Sequence, residues 1–188
     1  MDSLDNDFDG LIEKIRDPDN LNPAKSDPVF YFVFDPKHML EVKKNLPRWM
    51  SKIKESGFNV IRVSLADLLW KMVDKSGRWD LWLELETGAD AYQVNESVRD
   101  VLRQSNNLVD RVTEIVQSAP DRTVIFLTES ELLHPYFRTR TIESMLHDKV
   151  RTPTVIFYPG ERSGQYGLRF LGFYSVDGNY RSTLHGGI

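Results

Sequence analysis

The chain has 188 residues, no cysteine, and 24 Lys and Arg against 28 Asp and Glu, a formal charge of −4. A chain of this length buries roughly 70% of the surface its unfolded form exposes, so it can build a full core without metal or disulfide staples. The missing cysteines exclude disulfide frameworks, thiolate metal sites and cysteine nucleophiles, and 40% hydrophobic with 11% aromatic residues excludes wholesale disorder.

The N-terminus carries Asp2, Asp5, Asp7 and Asp9 and lacks the basic start and apolar core of a secretory signal, so a cytoplasmic location is expected. The longest apolar run, Val29 to Phe34, is far below the ~20 residues needed to cross a bilayer; no membrane association is expected. Residues 1–188 read as a single α/β domain, with 1–27 able to form a mobile N-terminal helical arm.

Val29 to Phe34 is a β-branched and aromatic run between Pro28 and Asp35-Pro36, the pattern of a strand buried on both faces. Val60 to Val63, Val124 to Leu127 and Val155 to Tyr158 are similar. Between the first two, Met39, Val42, Leu46, Trp49, Met50 and Ile53 recur at helical spacing, with a kink or break expected at Pro47. Ala66 to Asp74 and Trp79 to Leu85 read as two short helices around Ser76-Gly77. Asn95 to Gln117 reads as one longer helix, and Ser130 to Lys149 as another, weakened at Pro135.

Strands alternating with helices imply right-handed crossovers, hence a three-layer sandwich with a mostly parallel central sheet. Glu161 to Gly167 is too short for a parallel crossover, so Leu168 to Ser175 is expected antiparallel. A C-terminal hairpin through Asp177-Gly178 is expected to follow.

The search for chemistry gives little. Asp5, Asp7, Asp9 and Gly10 match the opening of a calcium loop, but position twelve is Arg16 where a bidentate Glu belongs; an acidic helix N-terminus is the better reading. No glycine precedes a lysine, and Gly-x-Gly-x-x-Gly, Gly-x-Ser-x-Gly and His-Glu-x-x-His are all missing. The histidines, at 38, 134, 147 and 185, sit beside no nucleophile motif. No cofactor and no catalytic residue is expected.

Ligands of open α/β sheets lie beyond the strand carboxyl ends. There Asp35, Glu129 and Glu161 could converge on a metal ion as an unusual phosphoryl enzyme, although Asp35 and Ser64 also suit helix N-caps. Tyr158, Pro159, Gly160, Glu161 and Gln165 belong to a glycine-rich stretch leading into a strand, read as a partner-contacting loop. The most basic stretch, residues 134–151, offers Arg138, Arg140, Lys149 and Arg151 beside Tyr136 and Phe137 as candidate nucleic-acid contacts. Glu143 and Asp148 reduce its charge to +2, so a solvated helix face explains it as well and DNA is not favoured.

The acidic N-terminal helix, VFYFVFDP, LPRWMSKIKESGFNVIRVSLADLL, VIFLTES, HPYFRTRTIESML and TPTVIFYPGERSGQYGLRFLGFY together resemble the BrxB family, small proteins encoded in bacterial BREX (bacteriophage exclusion) operons. The resemblance spans about Leu11 to Tyr180. It departs from the family at Thr128-Glu-Ser-Glu131, where a glycine-containing turn is usual. It implies a required, noncatalytic subunit or adaptor in phage defence, with no catalytic residues to carry over. The implied partners are other BREX proteins: PglZ first, which has an alkaline-phosphatase-like domain, then a large ATPase and a DNA methyltransferase.

Overall fold

A computed structural model describes residues 3–22, 27–103, 107–147, 149–178, 180 and 182–187. The elements in chain order are α1 (Ser3–Arg16), β1 (Val29–Phe34), α2 (Met39–Glu55), β2 (Asn59–Ser64), α3 (Leu65–Lys75), α4 (Trp79–Glu86), α5 (Ala91–Leu102), α6 (Leu108–Gln117), β3 (Thr123–Thr128), α7 (Thr139–Leu146), β4 (Thr154–Ser163), β5 (Gly167–Phe170) and β6 (Thr183–Gly186). Short 3-10 segments cover Pro36–His38 and Ser130–Leu133.

The sheet runs β2-β3-β4-β1-β6, with every neighbouring pair parallel. Alternation along β1 divides its side chains between two cores. Phe30, Phe32 and Phe34 join Val124, Phe126, Val155 and Phe157 beneath α1 and α2. Val29, Tyr31 and Val33 join Ile125, Leu127, Ile156 and Tyr158 beneath α3 to α7. The result is a mostly parallel sheet between two helical layers, in agreement with the α/β expectation.

Residues 3–16 are docked, not free. Phe8, Leu11 and Ile15 of α1 are fully buried, and the Phe8 ring stacks on Trp49 at 4.5 Å and 7°. Asp5 accepts a hydrogen bond from Trp49 Nε1 at 2.9 Å and pairs with Arg48. Those two bonds, the Arg48 one first, hold its carboxyl below the usual range. The whole of Asp5 to Arg16 is helical, which leaves no calcium loop.

Several expected boundaries move. Pro47 neither breaks nor divides α2: it lies on the exposed face, while Val42, Leu46, Trp49 and Ile53 stay buried. The helix expected over Asn95 to Gln117 is two. Asn107 caps α6 by accepting from Val109 N and Asp110 N, and Asp110 returns a bond to Asn107 N. The segment Ser130 to Lys149 holds one 3-10 turn, a cis His134-Pro135 peptide and α7, not one helix.

The strand from Leu168 is antiparallel to β4 as expected, with Gly160 opposite Phe170 and Ser163 opposite Gly167. The C-terminal hairpin expected through Asp177-Gly178 is not formed: Asp177 makes an isolated bridge to Leu168, and β6 pairs parallel with β1. Polar satisfaction explains this. β1 is buried on both faces, so its free edge needs a strand, and β6 supplies it.

Candidate interaction surface

Helix α3 starts where Ser64 accepts from Asp67 N at 3.0 Å, and it buries Leu65, Ala66, Leu69, Met72 and Val73 against the sheet. That packing leaves Trp70 on the outer side, 49% exposed. Helix α4 spreads Trp79, Leu81, Trp82, Leu83 and Leu85 over more of its circumference than one buried face. Trp82 turns inward and donates from Nε1 to Ser97 Oγ at 2.9 Å, whereas Trp79, Leu81 and Leu83 are 41%, 47% and 57% exposed.

Trp79 is held in place. Its Nε1 donates to Asp74 Oδ1 at 3.0 Å, and its ring stacks on Trp70 at 6.1 Å and 8° while meeting Trp82 edge-on. Tyr92, at the start of α5, is exposed as well. Asp90 caps that helix reciprocally with Gln93. Charges of both signs border this face: Asp80, Glu84 and Glu86 on α4, with Asp74 and Asp90 flanking it, and the exposed Lys71, Lys75 and Arg78 beside Trp70 and Trp79.

The residues expected to contact a partner are divided by the fold. Tyr158, Pro159 and Gly160 lie inside β4 and are buried; Tyr158 is 1% exposed, so a side-chain contact with a partner there is ruled out. A Cβ on Gly160 would sit 2.4 Å from Arg169 O, so glycine serves the β4–β5 pairing and not a loop. Glu161 and Gln165 remain exposed, with Tyr166, Phe173 and Val176 making a smaller apolar patch around the hairpin.

The basic stretch also separates. Thr141 and Met145 of α7 line one cavity with Arg138, whereas Arg140, Glu143 and Ser144 line another with Asp27 and His147. Lys149 and Arg151 are exposed in the segment before β4. The four cations do not make one strip.

Asp35 and Glu161 line one cavity with Asp7, but Glu129 lies in another, so the three do not converge. Asp35 caps the 3-10 turn, accepting from Lys37 N at 2.9 Å. Glu129 accepts from Ser64 Oγ and is paired with Lys43 and Arg62, both at 3.3 Å. Among the described residues, no three His, Asp or Glu come close enough to hold a metal ion. Partial burial opposes the Glu129 charge, but Ser64 and Lys43 outweigh it and lower its pKa.

Trp70, Trp79, Leu81, Leu83 and Tyr92 did not stand out in the sequence because helical spacing assigns such residues to a core. The usable signal was in Trp79 to Glu86, which has more apolar residues than one face of an eight-residue helix can bury.

The molecule thus defines an α/β protein with an exposed aromatic face and, among the described residues, no His, Asp and Glu cluster that could hold a metal ion. The family model for BREX protein BrxB matches residues 61–184, and the chain belongs to the BrxB family. It is 24% identical over 183 residues to a BREX protein BrxB of Bacillus cereus (strain H3081.97), covering 93% of each chain. No solved structure matches it significantly. Membership places the protein in a BREX system, and so in phage defence. No described helix is long and apolar enough to cross a membrane.

Proposed function

We propose that the protein is a noncatalytic subunit of a BREX assembly, an adaptor that holds a partner protein on the face formed by α3, α4 and the start of α5, with PglZ as that partner. The observation that carries the reading is α4, whose Trp79, Leu81 and Leu83 are ordered yet exposed. Exposed tryptophans cost solvation and gain little within the monomer, so a covering surface accounts for them. Asp80, Glu84 and Glu86 favour a partner with apolar anchors rimmed by Lys or Arg. The engagement of Asp35 and Glu129 with cations and caps supports the noncatalytic part.

Affinity purification of the tagged protein from cells carrying the whole operon tests the reading. PglZ is expected to co-elute in mild salt. Elution of the protein alone would remove the adaptor role. Where the wild type retains PglZ, Trp70→Ala with Trp79→Ala is expected to release it, and retention by that double variant would move the contact elsewhere, first to the Tyr166 and Phe173 patch.

A further inference from the structure

A second site lies apart from the aromatic face. A cavity of 440 Å3 opens between the end of α5, the start of α6, the 135–138 segment and α7. Three guanidinium-bearing residues line it, Arg99, Arg103 and Arg138, and among the described residues no carboxylate does. Its volume falls within the roughly 300–1,000 Å3 of small-ligand pockets.

The three cations are held differently. Arg99 is fixed, donating from Nη2 to Pro135 O at 2.9 Å and pairing with Glu96. Arg138 lies 4.5 Å over the Tyr174 ring, and the carboxylate it faces, on Asp177, is 4.0 Å away, beyond hydrogen-bond reach. Stacking therefore orients its guanidinium without using its donors. Arg103 is exposed at the end of α5. Tyr136 and Phe137 supply the apolar wall on which a planar ring can rest. Beside the cavity, burial first and then Arg138 and Arg99 lower the pKa of His134.

We infer that this cavity binds a phosphate group attached to a planar base, with Arg103 and Arg138 as the phosphate contacts and Tyr136 beside the base. Guanidinium forks match phosphate oxygens in pairs, which a lysine cluster would not do. The source of that group is either a free nucleotide or a single-stranded nucleic acid. The inference stands independently of the adaptor reading, because it uses neither α4 nor any partner protein.

Two probes at ~50 mM salt separate the sources: titration with ATP by calorimetry, and a fluorescein-labelled single-stranded DNA followed by anisotropy. Binding of ATP alone identifies a nucleotide pocket, and binding of the oligonucleotide alone identifies a strand site; either supports the inference. Arg103→Ala and Arg138→Lys are each expected to weaken the bound probe about tenfold, the loss of a charge-assisted hydrogen bond. Arg103→Ala removes an exposed side chain and leaves the fold intact, and Arg138→Lys keeps the charge while losing the fork. For the oligonucleotide, removing Arg103 lowers the slope of log K against log salt by about 0.7. Failure of both probes to bind overturns the inference. So does binding that neither variant changes, or that Arg140→Ala with Lys149→Ala weakens as much.

Discussion

Glu129 is the residue whose backbone and side chain disagree most openly. It sits at φ 63° and ψ 38°, the left-handed region where an L side chain costs about 1 kcal/mol or more and glycine costs little. Ser64, Lys43 and Arg62 hold the carboxylate and offset that strain. Glu129→Ala is therefore expected to destabilise the fold by about 1 kcal/mol more than Glu129→Gly in urea denaturation, since both lose the carboxylate but only alanine keeps the strain. The same carboxylate sets a pH dependence. Its folded pKa is lowered from 4.5, so its stabilisation is complete above that value and is lost as pH falls through the folded one. The wild type should lose stability on acidification below about pH 4.5 more steeply than Glu129→Gln.

At the scale of elements, α1 and α4 are opposites. α1 looked like a detachable arm because its acidic start is plainly polar, yet its buried residues follow helical spacing at Leu4, Phe8, Leu11, Ile12 and Ile15. Phe8→Ala removes a ring packed on Trp49, Phe32 and Phe126 and should cost about 3–5 kcal/mol, read from the urea midpoint. Leu83→Lys on α4 should change stability by no more than about 0.5 kcal/mol while weakening retention of PglZ, because the side chain is exposed. Periodicity made the strand cores and α2 legible, since Val29 to Phe34 and the Val42-Leu46-Trp49-Ile53 stripe have only one consistent burial. It failed where a local cap competed with it. The Asn107 to Asp110 capping box divides a continuous apolar stripe that looks unbroken by hydrophobicity alone. The pairing of β6 was not legible, because it answers the bonding needs of β1, more than 140 residues earlier.

For the whole molecule, the net charge of −4 conceals a division of labour. The charges on α4 itself are all acidic, whereas three arginines line the cavity beside α7 with no acid among its described lining residues. The candidate sites were less visible than the fold for that reason. Arg99 and Arg103 are separated in sequence from Arg138, and only the packing of α5 against the 135–138 segment brings them together.

The placement of β1 also bears on how the protein is made. Its partners are Thr154 to Pro159 on one edge and Thr183 to Gly186 on the other, and His185 further meets the carbonyl of Asp7 in α1. The outer edge of β1 therefore stays unpaired until residues 183–186 have been made. Loop-closure entropy over such separations slows folding. Until β6 arrives, a phenylalanine-rich strand keeps an open edge, and nascent copies are exposed to strand pairing with one another.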